Sequence, residues 1–191
     1  ADPPDPAPGP GDGLRQPRRR WHGRWFETRR VAERDEARQW IDKALVLEPD
    51  NPRLRWIFAR HLYHGWLAYD AALEQLAIAE QGMPGSADVF ELRGWILRRA
   101  GRPAEAVESL GVALGLNPRS VDILEGLVET HGILGNLEAA QRMHERLMAS
   151  PSVDVDSHTR YALVQLGVQG DTQAYARALE QSPPERRADI E

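Results

Sequence analysis

Cysteine is absent from this chain of 191 residues, and lysine occurs once, at Lys43, among 24 basic residues. Without thiols the chain has no disulfide, no thiolate metal site, no cysteine nucleophile and no thiol redox switch. No uncharged apolar run approaches the roughly 18 residues that span a bilayer, so no transmembrane segment is expected. Phosphate-binding loops, nucleophile elbows and paired catalytic acids are also missing from the sequence, which predicts a protein that is not an enzyme.

The remaining composition is that of a globular protein, with 41% hydrophobic and 28% charged residues and a net charge of −5. The charge is uneven, because residues 15–30 carry seven arginines against Glu27 alone. An acidic body with one basic end is not a nucleic-acid-binding composition. The basic end with Trp21 and Trp25 does suit anionic lipid headgroups or single-stranded nucleic acid. We interpret the two tryptophans instead as the buried stripe of a first helix.

Residues 1–17 are predicted to be an N-terminal arm or linker, because residues 1–13 contain five prolines, three glycines and no large apolar side chain. The first residue is Ala1, which fits a processed secreted protein, a cytosolic protein trimmed after Met, or a piece of a longer chain. No N-terminal run has the order of a signal peptide. The Ala-Asp-Pro-Pro start and the lack of cysteine lean towards the bacterial periplasm rather than the cytoplasm, without assigning a compartment.

Residues 18–191 contain an internal repeat. Ala72, Ala106 and Ala140 are each 34 residues apart, and Ala79 and Ala113 follow the first two by seven residues. Within each unit, two stretches of about 14 residues carry apolar side chains at helical spacing. A short turn between two such stretches predicts an antiparallel helical hairpin, and the small alanines fit positions where two helices approach closely.

This pattern resembles the tetratricopeptide repeat. The second unit matches the family pattern at Trp56, Ala59, Tyr63, Ala72, Leu76, Ala79 and Pro84, and the third at Phe90, Gly94, Leu97, Ala106, Leu110, Ala113 and Pro118. The resemblance implies an all-α, right-handed α-solenoid of about five helix-turn-helix pairs. Its units are expected near 18–52, 53–86, 87–120, 121–155 and 156–191.

The resemblance also implies a non-catalytic scaffold or adaptor that binds a partner protein or extended peptide in a concave groove, within a bacterial multiprotein assembly. The first helix of each unit lines that groove. The candidate partner-binding residues are Phe26, Arg29, Arg30, His61, His64, Trp95, Arg98, Arg99, Glu125 and Glu129. Trp95 with Arg98 and Arg99 is a set of residue types that is enriched at binding hot spots. The alternative for each set is a solvated helix face with local ion pairs.

Other ligands are not expected. His61 and His64 have a spacing that can bind metal, but no third ligand is near in sequence. The loop with Asp154, Asp156 and His158 lacks the glycine and final glutamate of a calcium loop. We therefore expect no metal, no cofactor and no small-molecule substrate.

The carboxylate clamp by which some family members hold a chaperone tail needs Lys and Asn at two positions of the first helix. Ile57 and His61 occupy these positions in the second unit, and Glu91 and Trp95 occupy them in the third. A chaperone-tail adaptor is therefore not expected.

Two further functions stay open at this point. The run from Gly82 to Arg102 resembles repeat modules of large bacterial regulators, so the chain is alternatively a regulatory module of a larger signalling protein. The other alternative is an accessory subunit fixed in a large complex. That subunit would expose an apolar patch around Trp40 or Trp66. The sequence does not name the partner.

Overall fold

A computed structural model describes the backbone of residues 18–150 and 155–181, and the side chains of 31–150, 160–174, 176–178 and 180. All regular elements in these ranges are helical. The helices are α1 (Arg18–Leu47), α2 (Pro52–His61), α3 (Tyr69–Gly82), α4 (Ala87–Arg99), α5 (Pro103–Leu116), α6 (Val121–Ile133), α7 (Leu137–Met148), α8 (Val155–Gln169) and α9 (Thr172–Gln181). The predicted arm, residues 1–17, lies outside the described residues.

The turns inside the helical pairs follow the repeat. Gly101, Gly135 and Gly170 have φ of 77°, 70° and 70°, in the left-handed region that favours glycine. Each follows the end of the first helix of a pair, and the second helix starts two residues later. The successive pairs α2–α3, α4–α5, α6–α7 and α8–α9 pack into one α-solenoid. The predicted fold class is therefore confirmed.

Leu67 occupies the matching turn of the second unit with φ of 51°, a conformation that costs a leucine about 1–2 kcal/mol. A π-helical turn, Leu62–Trp66, immediately precedes it. The Leu67 side chain is 57% exposed, so its removal loses little packing. Leu67→Gly is expected to raise the free energy of unfolding by about 0.5–1 kcal/mol. Glycine relieves the backbone strain at this position, but part of that gain is lost because glycine also increases the conformational entropy of the unfolded chain.

Urea denaturation measures this change, and Leu134→Gly is its control. Leu134 is 44% exposed and also follows a first helix, but its φ is −79°. Glycine has no strain to relieve there, so the control is expected to lose stability. A gain of the same size in both variants would show that the left-handed conformation of Leu67 costs nothing.

The core confirms the packing expected of the small repeat residues. Ala72, Ala106 and Ala140 have an exposed fraction of 0%. Two clusters of buried side chains lie along the solenoid, the first around Tyr63 and the second around Leu110. Trp95 packs against both clusters, so it joins the second and third units to the fourth.

The first unit differs from its prediction. A helical pair was expected in residues 18–52, but α1 runs through that segment as one continuous helix of 30 residues. The turn position one repeat before Leu67 holds Ala32 and Glu33, which are helix-compatible, and no glycine or proline lies between residues 24 and 48. With no residue to break it, the helix continues across the place where the other units turn.

Candidate functional site

The first helices of successive pairs lie side by side, with α4 against α6 and α6 against α8. We call the surface formed by α2, α4, α6 and α8 the groove. Two cavities open on it, and each takes its walls from neighbouring units. The groove is therefore a composite surface that exists only when the units are stacked.

The first cavity, which we call the aromatic–acidic cavity, has a volume of about 340 Å³. Three units contribute to it, through α2 with the π-helical turn that follows it, α4 and α6. Its walls combine two indoles, an aliphatic side chain, three carboxylates and two basic groups: Trp56, Trp95, Leu92, Asp88, Glu91, Asp122, Arg60 and His64.

Hydrogen bonds and stacking fix the wall on the α2 side. The Nε1 of Trp56 donates to the backbone oxygen of Asp88 at 3.1 Å. The Arg53 guanidinium lies over the Trp56 ring at 4.4 Å and pairs with the Asp88 carboxylate at 3.2 Å. The Trp56 ring is thus held by the Arg53 guanidinium on its face and by the hydrogen bond from its Nε1 to the backbone of Asp88 in the next unit.

The ionisation of Glu91 is strongly affected by its surroundings in this cavity. Burial, followed by repulsion from Asp122 and then Asp88, raises the pKa of Glu91 to about 7. Within the part of the chain that the structure describes, no basic side chain pairs with Glu91 or Asp122. The cavity therefore holds negative charge that is only partly offset.

This raised pKa predicts a pH-dependent stability. Glu91 titrates near pH 4.5 when unfolded and near 7 when folded, so its favourable contribution is present below pH 4.5 and is lost as pH rises through 7. Glu91→Gln is therefore expected to be more stable than the wild type by about 1 kcal/mol at pH 8, after allowance for solvent screening. Near pH 4.5 the two should agree.

Urea midpoints at the two pH values check this prediction. Glu108→Gln, at an exposed position of α5, serves as the matched control and is expected to change neither midpoint much. A Glu91→Gln variant that is no more stable than the wild type at pH 8 would contradict the electrostatic account.

The second cavity, the apolar cavity, lies between α6 and α8 and has a volume of about 430 Å³. Glu129 and Arg160 lie at its edge, and its other walls are apolar or glycine: Gly132, Ile133, Leu163, Val164, Gly167 and Val168. Ile133 is 62% exposed and Leu163 is 47% exposed. A Cβ at Gly132 would lie 2.7 Å from a Val164 methyl, so glycine permits the close approach of the two helices.

An ion-pair network, which we call the inter-unit network, crosses the groove at the edge of the apolar cavity. Arg98 of α4 pairs with Glu129 of α6. Arg160 of α8 pairs with Glu125 at 2.8 Å and with Glu129 at 3.5 Å. Three of the predicted partner-binding residues, Arg98, Glu125 and Glu129, thus form ion pairs between units. Their side chains position the first helices relative to one another.

Of the other sequence-predicted residues with described side chains, Trp95 and His64 both line the aromatic–acidic cavity, whereas Arg99 and His61 lie elsewhere. The Arg99 guanidinium lies 5.6 Å from the Tyr63 ring centre and lines a separate depression beside Leu67. His61 lies near Arg34 and Arg38 of α1, and its Nε2 accepts a hydrogen bond from the Nε1 of Trp66, in the π-helical turn, at 3.2 Å. His64 alone of the two histidines reaches the aromatic–acidic cavity.

Both histidines have pKa values below the usual range. Burial is the first cause for each, with added repulsion from Arg38 and Arg34 at His61. Arg60 and Arg99 act in the same way on His64. The imidazoles of His61 and His64 are therefore not directed at a common metal ion. In the described ranges, no group of three or more histidine, aspartate or glutamate side chains is placed to hold a metal ion.

Phe26, Arg29 and Arg30 complete the predicted set. Their backbone belongs to α1, but their side chains lie outside the described residues. Among the helices that the structure does describe, none has the length and apolar character needed to cross a membrane.

Six of the eight residues that line the aromatic–acidic cavity are outside the predicted partner-binding set. Asp88, Glu91 and Asp122 occupy groove positions of their helices, and their spacing was the available signal. Trp56, Arg60 and Leu92 carried no such signal, because none of them occupies a groove position of the repeat pattern.

Comparison with known proteins identifies the fold. No protein-family model matches the sequence, and no curated protein matches it either. Solved structures do match. PilW, described as a widely conserved type IV pilus biogenesis factor, has a TM-score of 0.73 at 16% identity over 90% of this chain and 81% of its own.

Two further structures are similar over most of their length. MamA matches with a TM-score of 0.67 at 19% identity, over 85% of this chain and 95% of its own. A thermophilic TPR protein of Thermus thermophilus matches with a TM-score of 0.64 at 20% identity, over 86% of this chain and 91% of its own. At these identities the similarity establishes a shared fold.

Proposed function

We propose that this chain, an α-solenoid with the tetratricopeptide-repeat fold, is a non-catalytic scaffold that binds a partner protein or extended peptide in its groove. The observation that carries the proposal is the aromatic–acidic cavity, whose walls come from three successive units. Its two tryptophans and its only partly offset carboxylates supply the aromatic and charged contacts that anchor protein partners.

The similar structures support a role in assembly. PilW is a pilus biogenesis factor, and we extend to this chain the general role of a scaffold in a bacterial multiprotein assembly. A periplasmic location stays a prediction, because neither the groove nor the packing depends on the compartment.

A pull-down with variants that introduce two arginines tests the proposal. The groove variant is Asp122→Arg with Ile133→Arg, which changes one exposed acid and one exposed aliphatic residue. The matched control makes the same two changes on the outer surface of α5, at Glu108 and Val112. Trp95 is unsuitable as a probe, because it packs against both core clusters and its truncation would disturb the stack.

The proposal predicts a partner that the wild type and the outer-surface control capture and the groove variant loses by about tenfold or more. Thermal unfolding of all three proteins verifies that each is folded. Equal capture by the groove variant would move the interface away from the groove and reject the proposed function.

A second candidate, the permanently bound accessory subunit, is favoured by the exposed apolar side chains of α1. Trp40, Val46 and Leu47 are 62%, 80% and 81% exposed. Trp40, Lys43 and Leu47 are spaced along one face of the helix. Capture that survives in the groove variant but is lost when Trp40 and Leu47 are changed to serine would favour this second function.

A further inference from the structure

The two groove cavities differ in the side chain that each accommodates. The walls of the aromatic–acidic cavity include three carboxylates and the rings of Trp56 and Trp95. A guanidinium or ammonium group fits such walls, through charge complementarity and through the attraction of a cation to an indole face.

The chain itself shows the same pairing at this cavity. The Arg53 guanidinium lies over one face of Trp56 while it pairs with Asp88, and the Arg60 guanidinium lies 5.6 Å from the centre of the same ring. Glu91 and Asp122, on the side towards α6, have no such cation among the described residues. A partner's basic side chain would supply it.

The apolar cavity selects a different group. Ile133, Leu163 and Val164 form its walls, and the two charges at its edge, Glu129 and Arg160, are already paired. An uncharged apolar side chain fits there, because it gains burial and leaves the ion pairs intact.

The solenoid sets the distance between the two cavities. The aromatic–acidic cavity is centred on α4, and the apolar cavity lies between α6 and α8. The distance from α4 to the midpoint between α6 and α8 is about one and a half helix spacings, or roughly 15 Å. The cavities are also offset along the helix axes, from the position of Glu91 in α4 to that of Gly132 in α6, by about 10 Å. The resulting separation of roughly 18 Å is spanned by five or six residues of extended chain.

From these observations, and on the premise that the groove is the binding surface, we propose that the partner is an extended segment with a basic and an apolar side chain five or six residues apart. The basic side chain occupies the aromatic–acidic cavity beside Glu91 and Asp122. The apolar side chain occupies the other cavity beside Ile133 and Leu163. The inter-unit network lies beneath the stretch that joins them.

A random dodecapeptide library displayed on phage is the probe for this proposal. Peptides are selected on the wild-type chain and then rescreened on the Asp122→Arg, Ile133→Arg groove variant. Only peptides that the groove variant fails to bind are counted as groove binders. The proposal predicts that these share a Lys or Arg and a Leu, Ile, Val or Phe at a separation of five or six residues.

Two conservative variants assign each feature to its cavity. Glu91→Gln with Asp122→Asn is expected to weaken the selected peptides about tenfold and to abolish the preference for a basic residue. Ile133→Asn with Leu163→Asn is expected to weaken them similarly and to abolish the preference for the apolar residue. Each variant should leave the other preference unchanged.

The outcomes separate this inference from the proposed function. Groove-binding peptides without the paired basic and apolar residues would overturn the inference and leave the proposed function standing. A library with no groove-dependent binder would overturn the inference as well, while the pull-down reports independently on whether a whole protein binds the groove.

Discussion

Gly94→Ala is expected to lower the free energy of unfolding by about 2 kcal/mol, although alanine is the better helix former. A Cβ on Gly94 would lie 2.5 Å from the Cγ of Leu110 and 3.2 Å from the backbone oxygen of Ala106. Leu110 is 1% exposed within a packed core, so it has little room to move away. The cost of overpacking therefore exceeds the gain in helix propensity.

Gly111→Ala is the matched control for this prediction. Gly111 also lies within a helix, α5, but a Cβ there would meet nothing within 4 Å. The same substitution is expected to stabilise the protein by about 0.5–1 kcal/mol. Urea unfolding of both variants gives the comparison. A stabilising Gly94→Ala would mean that α4 and α5 are farther apart than the structure shows.

The second large effect is expected in the inter-unit network, where Glu129→Gln should cost about 2 kcal/mol. The Arg98 side chain is only 12% exposed, and it would lose its carboxylate partner. Arg98→Met should cost less, about 1 kcal/mol, because Glu129 keeps the Arg160 guanidinium at 3.5 Å. The cost is thus expected to be asymmetric between the two partners.

A double-mutant cycle with both substitutions measures the coupling, which is expected to be about 1 kcal/mol. Arg160→Met provides the comparison, because that side chain is 46% exposed and its pairing should contribute less than about 1 kcal/mol. Additive effects of the Arg98 and Glu129 substitutions would show that the pair does not join the two units.

The repeat itself was predictable from sequence, because small side chains and glycines have strict local requirements. Ala72, Ala106 and Ala140 mark helix contacts that a larger side chain would overpack, and all three are buried. Gly101 and Gly135 mark turns whose positive φ excludes most other residues. These constraints act within one unit, so a sequence pattern of one unit's length records them.

Two features of the fold escaped the pattern for the opposite reason. Leu67 makes the second-unit turn without glycine, after a π-helical segment that no periodicity signals. The first unit has no breaker at Ala32 or Glu33, and α1 continues through the expected turn. In both cases the local residues, rather than the repeat template, decide where a helix ends.

The candidate site was predictable only in part. Periodicity identifies the face of each first helix, and His64, on that face, lines the aromatic–acidic cavity. It does not determine the rotation between successive units, which brings Arg98 to Glu129. Nor does it reveal the π-helical turn that holds His64, directly after His61 ends α2. The depth of the two cavities depends on the same rotation, so the repeat pattern does not reveal that Trp56 lines one of them.

The central claim is that the groove is the partner-binding surface, and site-specific photo-crosslinking tests it most directly. A photoreactive amino acid is placed at His64, an exposed residue of the aromatic–acidic cavity, or at Val112, an exposed residue on the outer surface of α5. The account predicts a discrete crosslinked partner from position 64 and none from position 112. A partner crosslinked from position 112 and not from position 64 would contradict it.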